Sequence, residues 1–130
     1  MKPEVIAGGV HADERGVLRF CNDFNLSAVK RFYTIANSAS EPVRGWIGHK
    51  RETKWFFPLR GKSTIEVENF GHGNGREKFL LDAKEPCVLK VQPGNWFCIK
   101  QYEPAEVMVF SDCKVGEFKN DDLRRPYDET

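Results

Sequence analysis

Long apolar stretches are missing from this sequence: its unbroken apolar runs are only a few residues, far short of the ~20 that a membrane-spanning helix requires. No membrane helix is therefore expected. The start Met1-Lys2-Pro3-Glu4 has no apolar segment behind it of the kind a secretory signal carries. An excess of one charge is missing too. Twenty Lys and Arg against 19 Asp and Glu leave a net charge of +1, whereas a general nucleic-acid binder carries a clear basic surplus or stripe. No nucleic-acid partner is expected. Cysteine is scarce, and Cys21, Cys87, Cys98 and Cys113 form no C-x-x-C pair. They sit beside apolar residues, as in Phe20-Cys21, Cys87-Val88 and Phe97-Cys98. With no signal segment, the expectation is four reduced, mostly buried thiols in a cytoplasmic protein, without a disulfide frame or a zinc site. Helical periodicity is the last absence: no window of 12 or more residues repeats its apolar positions every 3.6.

What is present reads as β. The 130 residues suit one domain, 1–130, with no linker. Ten Phe, three Trp and three Tyr suit sheets and pockets with stacking surfaces. Candidate strands are Val17–Cys21, Lys30–Ala36, Lys54–Leu59, Ser63–Glu68, Glu77–Leu81, Cys87–Val91, Trp96–Lys100 and Ala105–Phe110. Ser63-Thr64-Ile65-Glu66-Val67-Glu68 spaces its apolar residues two apart, as a half-buried strand does. Turn signals separate the runs at Gly8-Gly9, Ser40-Glu41-Pro42, Arg60-Gly61-Lys62, 71–75 and Pro93-Gly94-Asn95, with Asn74-Gly75 as a hairpin signal. One short helical turn is expected near Asn120-Asp121-Asp122, whose side chains suit an N-cap. Many short strands at regular spacing predict an all-β, antiparallel sandwich or barrel.

The informative spacing lies between residues 44 and 61. The segment Arg44-Gly45-Trp46-Ile47-Gly48-His49, then Lys54, then Gly61 is similar to the first motif of metal-binding cupins, H-x-H, four residues, E, six residues, G. Ile47, His49, Lys54 and Gly61 occupy its slots, and Gly94-Asn95-Trp96-Phe97 matches the end of the second motif with Phe in the histidine slot. The resemblance implies a cupin-type antiparallel β-sandwich or barrel, the jelly roll. On such a strand residues 47 and 49 point to one face, toward a residue on the returning strand. Of the four ligand slots only His49 holds a donor, and a divalent site needs about three. No metal is expected.

A narrower resemblance follows. Arg31-Phe32-Tyr33-Thr34-Ile35, Arg44-Gly45 and Gly48-His49-Lys50 look like the R-V-Y-Y-I … R-G-x-H-A-H-K pattern of the sugar 3,4-ketoisomerases, the WxcM-like cupins. Asp13-Glu14-Arg15-Gly16-Val17-Leu18 is similar to that family's D-x-R-G-x-L, which also has a counterpart in dTDP-4-keto-6-deoxyglucose 3,5-epimerases. Lys78-Phe79-Leu80-Leu81-Asp82 and Tyr127-Asp128-Glu129 extend the likeness along nearly the whole chain. Ile47, Phe97, Lys54 and Thr34 stand where the family has His, His, Gln and Tyr.

The resemblance implies a homodimeric isomerase of a nucleotide-diphosphate sugar in deoxysugar and polysaccharide biosynthesis, working on a 4-keto-6-deoxyhexose through an enediol without metal or organic cofactor. Two alternatives stay open: 3- or 3,5-epimerisation of the same substrate class, and a non-catalytic cupin that binds a nucleotide sugar. Within the isomerase reading His49 is the base, Tyr33 relays protons between the sugar oxygens, and Lys54 stabilises the enediolate. Arg15 and Arg44 hold the diphosphate, and Trp55 and Trp96 stack on the nucleotide base. Each has a plainer counterpart: a structural histidine, a core tyrosine, rim cations, and aromatics that fill the core. His11, His72 and the pair Lys50-Arg51 are expected to face solvent.

Overall fold

The computed structural model describes residues 2–38, 42–71 and 75–127. Among these residues there is no helix. The strands are β1 (Glu4–Ala7), β2 (Gly9–Asp13), β3 (Gly16–Phe20), β4 (Arg31–Ala36), β5 (Val43–His49) and β6 (Lys54–Arg60). They continue as β7 (Lys62–Asn69), β8 (Glu77–Asp82), β9 (Cys87–Val91), β10 (Asn95–Lys100), β11 (Glu106–Ser111) and β12 (Leu123–Arg124). Two five-stranded antiparallel sheets result, in the orders β1-β9-β6-β11-β4 and β12-β5-β10-β7-β8. Strands β2 and β3 form a separate hairpin.

The eight strands expected from alternation are all present, with ends displaced by a residue or two. Four others, β1, β2, β5 and β12, carry no such signal. Strand β5 is interrupted by Gly45 and Gly48, which break the apolar alternation; β12 is two residues long. No helical turn forms at Asn120, which takes a left-handed φ of 58°. The Asp121 carboxylate instead accepts backbone N–H groups from a distant turn, described below. Asn74 and His72, in the expected hairpin between β7 and β8, lie outside the described residues.

Alternation decides what faces inward. On β6, Lys54, Phe56 and Pro58 point between the sheets; Trp55 and Phe57 point away. On β10, Phe97 and Ile99 point in, while Trp96 and Cys98 point out. The closed part of the barrel is filled by Phe56, Ile65, Val67, Leu89, Phe97, Ile99, Val107 and Val109, all buried. Phe56 and Phe97 meet edge to face, with ring centroids 5.2 Å apart. Burying each such ring contributes roughly 1.5–3 kcal/mol. Gly61 alone joins β6 to β7; its φ is +66°, and a Cβ there would lie 2.4 Å from the Pro104 carbonyl oxygen. That turn accepts glycine and nothing larger. No described helix is long and apolar enough to cross a membrane.

Candidate active site

Polar side chains gather at the open end of the same barrel, where β5 and β11 finish and β4 and β6 begin. Two chambers meet there. The first, about 550 Å³, lies beneath the segment 113–122 and is walled by Arg31, His49, Glu52 and Lys54. The second, about 240 Å³, lies between the sheets and is walled by Tyr33, Arg44, Ile47 and Phe97. Lys54 and Arg124 line both.

His49 ends β5 and is buried. Its Nδ1 lies 2.7 Å from the backbone carbonyl oxygen of Asp121. A carbonyl only accepts, so Nδ1 carries the hydrogen and Nε2 keeps its lone pair. That Nε2 is buried and has no hydrogen-bond partner among the described residues. Burial, and then the Lys54 charge, push the ring's pKa below its ordinary 6.5. The imidazole is therefore a neutral base near pH 7. A histidine whose folded pKa is depressed contributes stability that is present above pH 6.5 and is lost as pH falls, because the unfolded chain takes the proton first. An NMR titration of the His49 ring is expected to give a midpoint below 6.5, and Lys54→Met to move it upward. A midpoint at or above 6.5 in the unaltered protein would contradict this environment.

Asp121 does two jobs from one residue. Its carboxylate accepts the N–H groups of Lys50 at 2.6 Å, Arg51 at 3.1 Å and Glu52 at 2.9 Å. Its carbonyl holds His49. Burial alone would raise the carboxyl's pKa, but those three amides outweigh it and hold it below the usual 3.8. Glu52 sits in the middle of the cluster. Ser111 Oγ donates to its Oε2 at 2.5 Å, Arg31 Nη2 approaches to 3.4 Å, and Lys54 Nζ lies 3.8 Å away. The Lys54 ammonium also donates to the Tyr33 hydroxyl oxygen at 2.9 Å, which leaves the Tyr33 O–H free to donate to a ligand oxygen.

His49, Glu52 and Asp121 bring donor atoms within 4.8 Å of one another, a set that on residue type suits a divalent cation. The carboxylates are already engaged, however: Asp121 with three amides and Glu52 with Ser111 and Arg31, which leaves His49 Nε2 as the one open donor of the set. A positive Lys54 stands beside Glu52. The arrangement does not fit a metal.

Of the residues expected from sequence, the structure brings His49, Tyr33, Lys54 and Arg44 to the chambers. It leaves Arg15, Trp55 and Trp96 outside them. Arg15 is in the exposed β2–β3 turn, donating to Asp13 at 2.6 Å. Trp55 packs on the outer face of its sheet near Phe24, with ring centroids 5.9 Å apart. Trp96 lies on the outer face of the other sheet, 5.0 Å from the Phe70 ring. Glu52, Asp121, Arg31 and Arg124 also reach the chambers, though none was expected as a site residue: Arg31 was expected only within the family-like run and Asp121 only at a helix N-cap. Lys50 and Arg51 are exposed as expected, with Arg51 holding the Lys119 carbonyl at 2.6 Å.

The family model described as WxcM-like, C-terminal (FdtA) matches residues 2–130. The chain belongs to the WxcM-like, C-terminal family. No curated protein matches it. Among solved structures, this WxcM-like chain is similar to a 3,4-ketoisomerase from Helicobacter canadensis, with 20% identity, 96% of this chain and 92% of that one covered, and a TM-score of 0.75. It is similar to QdtA, a sugar 3,4-ketoisomerase from Thermoanaerobacterium thermosaccharolyticum in complex with TDP, with 18% identity, 95% and 88% covered, and a TM-score of 0.76. The RmlC epimerase from Mycobacterium tuberculosis shares 18% identity over 86% of this chain and 64% of that one, with a TM-score of 0.71. The WxcM-like chain therefore has the RmlC-like cupin fold.

Proposed function

We propose that the protein is a metal-independent isomerase of a nucleotide-linked 4-keto-6-deoxyhexose. The observation that carries this reading is the His49 imidazole, held in one tautomer by the Asp121 carbonyl with an unpartnered Nε2 beside a buried lysine and tyrosine. The fold it sits on is shared with 3,4-ketoisomerases and with an RmlC epimerase. Nε2 takes the proton from C3, which the C4 carbonyl makes acidic. The C3–H electron pair becomes the C3–C4 double bond, and the charge moves to O4. Lys54 and the Tyr33 O–H stabilise that oxyanion, and a proton passes from O3 to O4 along the same edge. His49 then returns its proton to C4, leaving the carbonyl at C3. No atom is gained or lost.

A second reading rests on one specific observation. Ile47 and the buried Phe97 make the wall of the second chamber apolar where the related pattern has histidines. A nucleotide-sugar-binding cupin without turnover fits that wall, and 3- or 3,5-epimerisation needs only that the proton return to the carbon it left. Incubation with a dTDP-4-keto-6-deoxyhexose in heavy water separates the three. Deuterium with carbonyl migration to C3 is the expected result; exchange with inversion means an epimerase. Binding without exchange means a binding module.

The reading includes a homodimer. The β2–β3 hairpin stands apart from both sheets, with Val10, Val17 and Leu18 exposed, and Phe32 of β4 is 65% exposed. Such apolar patches mark interfaces. Arg15 reaches a diphosphate only if that hairpin docks on a second copy. Light scattering is expected to give twice the 14.9 kDa chain mass; the single mass at micromolar concentration would remove both the dimer and the role of Arg15.

A further inference from the structure

Lys54 begins β6 on its inward face, and its side chain is only 10% exposed. A buried ammonium loses its hydration and needs a carboxylate close by. Among the described residues its one ion-pair partner is Glu52, at 3.8 Å. On its other contacts the ammonium meets the Tyr33 hydroxyl at 2.9 Å and the Tyr33 and Phe97 rings at 5.5 and 5.7 Å. None of these carries a negative charge.

Strand parity does not explain how Glu52 reaches that position. Residues 50–53 form the turn between β5 and β6, where side chains ordinarily face water. This turn is pinned from within. The Asp121 carboxylate takes the N–H groups of Lys50, Arg51 and Glu52, and Asp112 Oδ1 takes that of Thr53 at 2.9 Å. Glu52 is thereby folded beneath the strand ends and buried. Its carboxylate is then anchored by Ser111 of β11 at 2.5 Å and by Arg31 of β4 at 3.4 Å. Arg31 is itself fixed, donating from Nε to the Cys113 carbonyl at 3.0 Å.

Three further groups face that carboxylate. His49 Nδ1 lies 3.6 Å from Oε1 on a neutral ring. The Cys113 thiol adds no charge near pH 7, because burial above all pushes its pKa up. The Asp121 carboxylate lies within 4.8 Å, its charge already met by three amides.

We propose that Glu52 is a positioning residue that acts through Lys54: its anchored carboxylate holds the ammonium at the Tyr33 hydroxyl, where the two chambers join. The inference rests on the isomerase reading, which gives Lys54 the oxyanion, and adds a residue that moves no proton itself. Lys54 occupies a slot where the related pattern has an uncharged Gln, and Glu52 supplies the counter-charge a lysine requires there. Without it, Lys54 and Arg31 would face the imidazolium formed when His49 takes the C3 proton. Only the amide-bound Asp121 would offset those three cations.

The test pairs turnover with NMR on the full chain. In Glu52→Gln, carbonyl migration in a dTDP-4-keto-6-deoxyhexose is expected to slow about tenfold in kcat, with KM within about twofold. In the Lys54→Met background the same change should cost under about twofold, because the group it acts through is gone. Two readouts need no turnover. The nuclear Overhauser contact between the Lys54 ε-protons and the Tyr33 ring should weaken in Glu52→Gln. The His49 midpoint should fall, opposite to its rise in Lys54→Met, since, burial apart, the Lys54 charge lowers it and the Glu52 charge raises it. Should thermal melts show Glu52→Gln unfolded, Ser111→Ala frees the carboxylate and keeps its charge. That variant should loosen the Lys54–Tyr33 contact and slow kcat about threefold. An unmoved contact in whichever variant folds overturns the inference. So does an equal loss of kcat with Lys54 already replaced, which would put the carboxylate's effect on His49 or on the fold. If the contact weakens but no 4-keto sugar reacts even with the unaltered protein, the isomerase reading falls and Glu52 remains the residue that positions Lys54.

Discussion

Replacing His49 with Asn is expected to slow carbonyl migration in a dTDP-4-keto-6-deoxyhexose, and with it deuterium entry at C4 of the 3-keto product, by ~10²–10⁴-fold, as removal of a general base does. The choice of Asn follows from the geometry. The Asn amide N–H can still donate to the Asp121 carbonyl that now takes Nδ1–H at 2.7 Å. What disappears is the lone pair at Nε2, which has no other partner among the described residues. Affinity for dTDP should stay within a few-fold, because the proposed reading places the imidazole at the sugar carbon and not at the nucleotide. Unchanged exchange in this variant would remove His49 as the base. Tyr33 and Lys54, joined at 2.9 Å, would then be the groups to replace.

Asp121→Ala is expected to cost stability as well as activity. The substitution leaves the N–H groups of Lys50, Arg51 and Glu52 without their common acceptor. A buried donor left unmade costs about 1–3 kcal/mol, and these three share one turn, so the total is put at about 2–4 kcal/mol. Urea unfolding at pH 7 measures it, and Asp121→Asn, which keeps one acceptor oxygen, should lose about half as much. The pH dependence has a definite sign. The carboxyl's folded pKa is depressed below 3.8, so its contribution is present above that pH and disappears as pH falls through the lower folded value. Activity should drop further than stability requires, because without its carboxylate residue 121 no longer holds its backbone carbonyl, which the variant retains, in place against His49. A variant within about 0.5 kcal/mol of the unaltered protein would mean the turn is held by something other than this carboxylate.

Part of the site was legible in residue spacing alone. Ile47, His49 and Lys54 lie at cupin offsets, and period-two alternation puts 47 and 49 on one face; the β5 register, with Ile47 beside Phe97, places them together. The same parity argues against two expected residues. Trp55 adjoins the inward Lys54, and Trp96 adjoins the inward Phe97, so neither could share a face with the residues it was meant to assist. That signal was in the sequence. Glu52 was legible in a weaker sense: it is a carboxylate three residues after His49, but its burial depends on Ser111 and Arg31, which lie far along the chain.

What the sequence by itself determined was the β periodicity, hence two sheets with an apolar interior; the strand that carries His49 was marked only by the cupin-like spacing of Ile47, His49 and Lys54, since Gly45 and Gly48 break its alternation. These are local properties, set by which side chains alternate and where glycine permits a turn. Tertiary structure alone decided that Asp121 reaches back over about seventy residues to fix the His49 tautomer. It also decided that Arg124 faces a chamber while Arg125 stacks on tryptophan, and that Arg15 stands clear of its own chain's cavity. A two-residue strand has no periodicity to read, and a carbonyl acceptor is the same in every residue. Such contacts exist only when distant segments have been packed side by side.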